Sequence, residues 1–478
     1  MISWKIILFS VYQVAVILAV IHVILDNKRP AKTMAWTLVI WFVPIVGIVF
    51  YLFFGINTRK ERYVSERSMN QLTKRSMLEF AEQQNLKMPE RYKPLIDLFV
   101  NQNLSLPFKD NEVDILTDGY QFVHALLADI RQAKSHIHIG MYIITDDSLG
   151  QLISDALIDR AHEGVEVRLV YDDVGCWNVK HRFFERMREE GIEVRPFMPV
   201  RFPSFTSKVN YRNHRKIIVI DGCRGYIGGM NIALRYVKGT GTQPWRDTMM
   251  RVTGGAVHAL QRAFLVDWYF VDRTLLSDRK YYPQLSEALS RTITNDCLAQ
   301  VVTSSPVAPY PEIMQGFVRT ILGARRYLYL ETPYFLPTEP VLFALKTVAM
   351  AGIDVRVICP LKSDARFVEW ASRSYLREVV QAGVQVRLYQ AGFMHSKLMV
   401  CDDALTTCGS TNVDFRSFEN NFEANVFFYD EALALGMKEV FLNDEAQSVL
   451  LTDVWGQKGG KFLPRLWESI TRMLSPLF

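Results

Sequence analysis

Tyr211-Arg212-Asn213-His214-Arg215-Lys216-Ile217-Ile218-Val219-Ile220-Asp221 is followed by Gly228-Gly229-Met230-Asn231. The same frame returns as Gly392-Phe393-Met394-His395-Ser396-Lys397-Leu398-Met399-Val400-Cys401-Asp402, followed by Gly409-Ser410-Thr411-Asn412. Both copies read His-x-Lys-x4-Asp, and in both an Asn comes seventeen residues after the His. The apolar run after each Lys predicts a strand, on which residues two apart share a face. Each copy therefore projects an imidazole and an ammonium together and then carries its strand into a core.

Outward from these motifs the duplication widens. From about residue 110 helical patterns alternate with short β-branched runs, the signature of an α/β fold. A Gly-(Val/Ile)-x-Val-Arg element opens a strand after a helix at Gly164–Arg168, Gly191–Arg195, Gly352–Arg356 and Gly383–Arg387, twice before each His motif. Ala133–His138 and Ala324–Tyr329 begin strands in a matching way. The body reads as two tandem α/β/α domains forming one pseudo-symmetric unit, residues 109–290 and 291–478. A helical connector at 59–108 is assigned no chemistry.

Residues 1–58 read as a membrane anchor. About Ile6 to Leu25 and about Met34 to Phe54 are apolar runs of roughly 20 residues, the length of a bilayer-crossing helix. The second carries Trp36, Trp41 and Tyr51 toward its ends, where amphipathic rings favour the interface. Basic residues both in the connector (Lys28, Arg29, Lys32) and after the second run (Arg59, Lys60, Arg62, Lys74, Arg75) leave two readings open. Either one element is re-entrant, with Pro44 as a bend, or the larger downstream cluster sets the orientation and keeps the body cytoplasmic.

A net charge of +5, with 22% charged residues, fits an anionic substrate or lipid surface better than a dedicated DNA-binding protein, and charge alone does not decide between them. The six cysteines show no CxxC pairing or zinc spacing, which predicts a reducing compartment and no metal site. His22, His124, His136, His138, His162, His181 and His258 read as ordinary hydrogen-bonded residues.

Two copies brought together surround one point with two imidazoles, two ammoniums and two amides, a set suited to a phosphodiester. One His attacks phosphorus and the other protonates the leaving oxygen. Lys216, Lys397, Asn231 and Asn412 stabilise the negative charge, with Ser410 as a further hydroxyl donor in the second copy only. The cations are built in, so no metal or other cofactor is required. Asp221 and Asp402 complete the motif, but five residues past the Lys each sits well away from the phosphate, and fixing a turn or pairing with a basic group is as good a role. Glu423 and Asp247, by position after the motifs, are candidates to orient the second nitrogen of a nucleophilic His.

The duplicated motif resembles that of the phospholipase D superfamily, and nearly the whole chain resembles the bacterial cardiolipin synthases. The narrower likeness rests on Asn27-Lys28-Arg29-Pro30 between the apolar runs, Glu331-Thr332-Pro333-Tyr334-Phe335, Asn412–Phe418 and the closing Ser475-Pro476-Leu477. The resemblance implies a multi-pass protein of the bacterial inner membrane with phospholipase D-like domains. It implies a ping-pong transfer in which a His takes the phosphatidyl group of one phosphatidylglycerol, glycerol leaves, and a second phosphatidylglycerol resolves the intermediate to cardiolipin. It further implies His214 as nucleophile and His395 as acid, an order the internal symmetry does not force.

Another alcohol acceptor, or water in a hydrolase, would use the same intermediate, and a nuclease fits less well. Pro196–Phe205, mixing aromatics with Arg201, reads as an interfacial lip or as an ordinary Pro-rich loop. The spacing of Leu463, Leu466, Trp467, Ile470, Met473 and Leu474 predicts an amphipathic helix, on the membrane or, preferably, packed on the core. Oligomeric state leaves no trace in the sequence.

Overall fold

Each stretch with alternating apolar residues after a Gly-terminated helix becomes a strand, and the two halves do so in the same order. The computed structural model describes residues 4–26, 30–55, 86, 88–200, 210–241, 243–294, 297–455 and 462–475. A seven-stranded sheet runs Asn111–Leu116, Met249–Gly254, Arg224–Gly228, Ile217–Ile220, His136–Met141, Glu166–Asp172, Glu193–Phe197. A nine-stranded sheet repeats that order as Leu298–Ser304, Glu423–Tyr429, Leu405–Gly409, Leu398–Cys401, Tyr327–Glu331, Asp354–Pro360, Gln385–Tyr389, with one short strand added at each edge. Register repeats too: Gly140 pairs with Ile217 as Glu331 pairs with Leu398. The glycines that open the four repeated elements have φ of +87°, +91°, +89° and +101°. A side chain is strained in that left-handed region, so glycine ends each helix and turns the chain into its strand.

The halves share one core. Ile217, Val219 and Met250 of the first cluster with Tyr329, Val400, Val426 and Phe428 of the second. Residues 93–108, read as part of a connector, are built into the second half. Helix Lys93–Asn103 buries Leu95, Ile96 and Phe99 in the second core, and Pro107–Phe108 pairs antiparallel with Ala299 and Gln300.

The N-terminal segment forms three helices, α1 (Trp4–Asp26), α2 (Pro30–Phe42) and α3 (Pro44–Phe54). The expected second membrane helix is thus broken. Pro44 has no N–H to continue the ladder of α2, and α3 turns back so closely that a Cβ on Gly47 would lie 2.8 Å from the Val39 carbonyl oxygen. Among the described residues no helix is long and apolar enough to cross a membrane, so the two expected transmembrane helices are not found there. Phe9, Val14, Leu25, Leu38 and Ile45 nevertheless stand exposed.

Two surface expectations also change. Phe197 and Met198, read as part of a lip, are buried with Phe264, Trp268 and Phe422, whereas residues 201–205 of that stretch lie outside the described residues. The C-terminal helix Phe462–Met473 does not bury its apolar stripe in the core. It turns Glu468 and Thr471 inward, pairs Glu468 with Arg377 and Arg472 with Glu378 (2.6 Å), and leaves Leu463, Leu466, Ile470 and Met473 facing outward. Ion pairs to helix Arg366–Gln381 fix that orientation. The closing residues 476–478, Asn27–Arg29 and the basic cluster at 59–75 lie outside the described residues.

Candidate active site

The approach to each motif is held by the other half of the molecule. His214 N–H donates to the Phe422 carbonyl at 2.9 Å, and His395 N–H to the Arg246 carbonyl at 2.7 Å. Phe393–Met394 runs parallel to Trp245–Arg246, and Asn213 bridges to Phe422. The next residue on each paired segment is a buried carboxylate, so the pairing delivers Glu423 to His214 and Asp247 to His395. His214 Nδ1 lies 3.0 and 3.1 Å from the two Glu423 oxygens, and His395 Nδ1 lies 2.6 Å from Asp247 Oδ2. Each carboxylate thus serves the His of the opposite half.

Lys216 and Lys397 are buried immediately before the strands Ile217–Ile220 and Leu398–Cys401, so the expected strand begins only after each His-x-Lys, and each ammonium donates to the carbonyl of its own His, at 2.8 and 2.5 Å. Lys397 Nζ is also 3.0 Å from His395 Nδ1. An ammonium only donates and Asp247 only accepts, so the Nδ1 proton belongs on the carboxylate contact. Both imidazoles then present Nε2 for chemistry.

Burial dominates the electrostatics. It lowers His214 to about 4, partly offset by Glu423, and lowers His395 to about 3, with Lys397 adding to the fall. Lys216 falls to about 7 and Lys397 also falls, both through burial. Burial alone would raise the two carboxyls. Lys397 and His395 outweigh it at Asp247, and His214, Lys216 and Ser410 outweigh it at Glu423, so both are held below their ordinary range. The site therefore pairs neutral imidazoles with ionised carboxylates.

His214, His395, Asn231 and Asn412 line one cavity of about 690 Å³ between the halves, walled by Tyr142, Tyr236, Trp245 and Tyr334. Asn231 accepts from Ile143 N–H at 3.0 Å and donates to the Tyr236 hydroxyl. The Asn412 amide donates to Asp414 at 3.0 Å. Ser410 does not serve the cavity. Its hydroxyl donates to Glu423 and accepts from Ala424 N–H at 3.0 Å, because the strand turns it onto the carboxylate. The matching Gly229 has no room for a side chain, since a Cβ there would sit 2.0 Å from Asp247 Oδ1.

Asp221 and Asp402 are not brought to the site. They lie roughly 15 Å along the strand from each Lys. Asp221 accepts the backbone N–H groups of Lys134, Ser135 and His136 at 2.7–3.0 Å. Asp402 accepts those of Arg325, Arg326 and Tyr327 at 2.8–2.9 Å, and the Arg91 side chain as well. Both have positive φ, 52° and 55°. They fasten the turn after the motif strand to the start of the neighbouring strand. Among the described residues no group of three or more His, Cys, Asp or Glu could hold a metal ion, and all six cysteines are free.

Sequence reasoning gave no role to Arg235, although Asn231-x3-Arg235 and Asn412-x3-Arg416 repeat the same step and both arginines reach the cavity.

Paired imidazoles and ammoniums on a duplicated α/β scaffold define a phosphodiester-transfer enzyme of the phospholipase D class. The family model described as "Cardiolipin synthase, PLD-like domain" matches residues 126–267 and 317–445, and "Phospholipase_D-nuclease N-terminal" matches residues 14–55. The chain is 36% identical to the major cardiolipin synthase of Bacillus subtilis (strain 168), over 98% of this chain and 99% of that one. It is 37% identical to the cardiolipin synthase of Oceanobacillus iheyensis, over 96% of each. The phosphatidylserine synthase of Haemophilus influenzae Rd KW20 shares the fold, with a TM-score of 0.61 at 15% identity, over 80% of this chain and 98% of that one. The chain belongs to the cardiolipin synthase family.

Proposed function

We propose that the chain makes cardiolipin and glycerol from two molecules of phosphatidylglycerol through a phosphatidyl-histidine at His214. The observation that carries this reading is the crossed pair of carboxylate-oriented imidazoles on one cavity. With its Nδ1 proton on Glu423, neutral His214 keeps a lone pair on Nε2, which attacks phosphorus as the bond to glycerol oxygen breaks. His395, on Asp247, gives its Nε2 proton to that oxygen. Burial and Lys397 hold it neutral, and it takes up this proton from water as the anionic phosphodiester enters and offsets the local positive charge. In the second half the hydroxyl of the acceptor lipid returns a proton to His395 as its oxygen attacks phosphorus and the bond to His214 breaks. Lys216, Lys397, Asn231 and Asn412 stabilise the equatorial charge in both halves. Glu423 and Asp247 are positioning residues, and Asp221 and Asp402 support the fold.

The body works against the cytoplasmic face of a bacterial inner membrane. Support comes from the exposed apolar surface of α1–α3 and from the outward stripe of the C-terminal helix. Protease added to sealed vesicles should cut the body only in inverted ones, and cleavage in right-side-out vesicles alone would reverse this sidedness.

Purified enzyme with phosphatidylglycerol alone tests the reaction. Cardiolipin plus glycerol supports the transferase, phosphatidic acid would make it a hydrolase, and no turnover would sink both. In acid-quenched mass spectrometry the phosphatidyl adduct should form with His395→Ala but not with His214→Ala.

A further inference from the structure

Arg235 and Arg416 stand four residues after the two site asparagines, and both reach the cavity. They occupy opposite sides of it. The Arg235 guanidinium lies 5.6 Å from the Tyr236 ring and 5.5 Å from the Trp245 ring, and Trp245 in turn lies 5.3 Å from the His395 ring. Arg416 lies toward Tyr142, whose ring is 4.8 Å from His214.

Among the described residues neither guanidinium has a carboxylate partner. The two acidic residues that share the cavity are occupied: Asp364 accepts from the Tyr334 hydroxyl at 2.9 Å, and Asp414 accepts from Asn412 and from Ser417 N–H. The Arg235 Nε is buried without a partner. The guanidinium also hydrogen-bonds the Tyr236 side chain. A partly buried cation with no carboxylate partner beside a reaction centre is a site for an anion, and a planar guanidinium fits a phosphate with two parallel hydrogen bonds. The Tyr236 and Trp245 rings, within cation–π reach, hold the guanidinium in place beside His395.

The cavity has two anionic visitors. In the proposed mechanism the donor phosphate reacts between the imidazoles, where Lys216 and Lys397 serve it. The acceptor's phosphate is not attacked, and it must rest one glycerol arm from phosphorus, on the side of the His that takes the hydroxyl proton. We propose that Arg235, backed by Tyr236 and Trp245, binds this intact phosphate and so selects an anionic lipid alcohol over water and neutral alcohols. The inference rests on the phosphatidylglycerol reading and on His395 as the acid and base. It also accounts for a hydroxyl acceptor that arrives oriented, since a lipid held by its phosphate brings its free hydroxyl toward His395.

The test compares two acceptors in one preparation. Phosphatidylglycerol with labelled free glycerol reports donor chemistry and a neutral acceptor, through label exchanged into the lipid. Cardiolipin formation reports the anionic acceptor. In Arg235→Gln the ratio of cardiolipin formed to glycerol exchanged should fall on the order of tenfold to a hundredfold, the scale of one charge-assisted contact pair. Arg235→Lys should recover part of that ratio, and Arg416→Gln should lower both reactions in parallel. An unchanged ratio in Arg235→Gln, or a selective loss in Arg416→Gln instead, would overturn the assignment. If the unmodified enzyme neither exchanged glycerol nor made cardiolipin, the phosphatidyltransferase reading itself would fall.

Discussion

Glu423 meets His214 Nδ1 at 3.0 Å across 209 residues of chain and from the opposite half of the body. The contact at His395 mirrors it, with Asp247 at 2.6 Å across 148 residues. Two backbone pairings, His214 with Phe422 and His395 with Arg246, hold both contacts in register. Orientation of the two imidazoles is therefore a property of the joined halves.

Replacing either carboxylate by its amide should be far more damaging than its small change in shape suggests. A Gln or Asn can donate to Nδ1 and so drive the proton to Nε2, where His214 needs its lone pair. We expect Glu423→Gln to lower kcat by on the order of a hundredfold or more, with KM changed little. Steady-state kinetics on phosphatidylglycerol check this, and a kcat within twofold of the unmodified enzyme would remove Glu423 from the mechanism.

Asp221 should matter to folding instead. Three backbone N–H groups lose an ionised acceptor in Asp221→Ala, a loss of about 3 kcal/mol in unfolding free energy. Turnover per folded molecule should stay near normal. Denaturant melts paired with active-site titration separate the two effects, and a stable but inactive protein would return Asp221 to the catalytic group.

Glu331 occupies the second-half position that Gly140 fills in the first, fully buried near Asp444, Arg246 and Ser396. Burial first, and Asp444 next, push its carboxyl up to about 8. The folded protein then holds a proton that the unfolded chain releases near pH 4.5. This contribution is fully present below that value and is lost as pH rises toward 8, with a slope of up to about 1.4 kcal/mol per pH unit. Glu331→Gln should remove the slope, gaining stability relative to the unmodified protein at pH 8 but not at pH 4. Parallel melting curves for the two proteins across this range would contradict a protonated Glu331.

The outward stripe of the C-terminal helix should be dispensable for folding and useful on bilayers. Leu466→Glu combined with Ile470→Glu is expected to leave the thermal midpoint nearly unchanged. Turnover of bilayer phosphatidylglycerol should drop several-fold relative to a soluble short-chain analogue. A large fall in the midpoint would show that the stripe packs against protein.

Much of the chemistry was open to reading because it is local. The motif spacing put His214 beside Lys216 and carried Asp221 away, although the strand itself starts only at Ile217, and the repeated Gly-led strands announced two equivalent halves. What stayed hidden depends on contacts between distant segments. Glu423 and Asp247 were picked out by position, but nothing along the chain says that each serves the other half's His. Ser410 was read as a phosphate donor because a sequence does not show that its strand turns the hydroxyl onto Glu423. Helix Lys93–Asn103 passed for a connector because its partners, such as Phe317 and Phe427, come more than two hundred residues later. In the N-terminal segment Pro44 could be read as a bend, but the apolar run around it did not show how closely the chain returns at Gly47.

The crossed carboxylates set a timetable for synthesis. The apolar N-terminal helices and the first motif leave the ribosome while Glu423 is still untranslated, so for roughly two hundred residues of elongation a nascent chain carries His214 without the group that aims it. A half-made or truncated product could sit on a membrane full of substrate and leave the lipid intact. On the proposed mechanism the site is complete only when strand Glu423–Tyr429 joins the sheet.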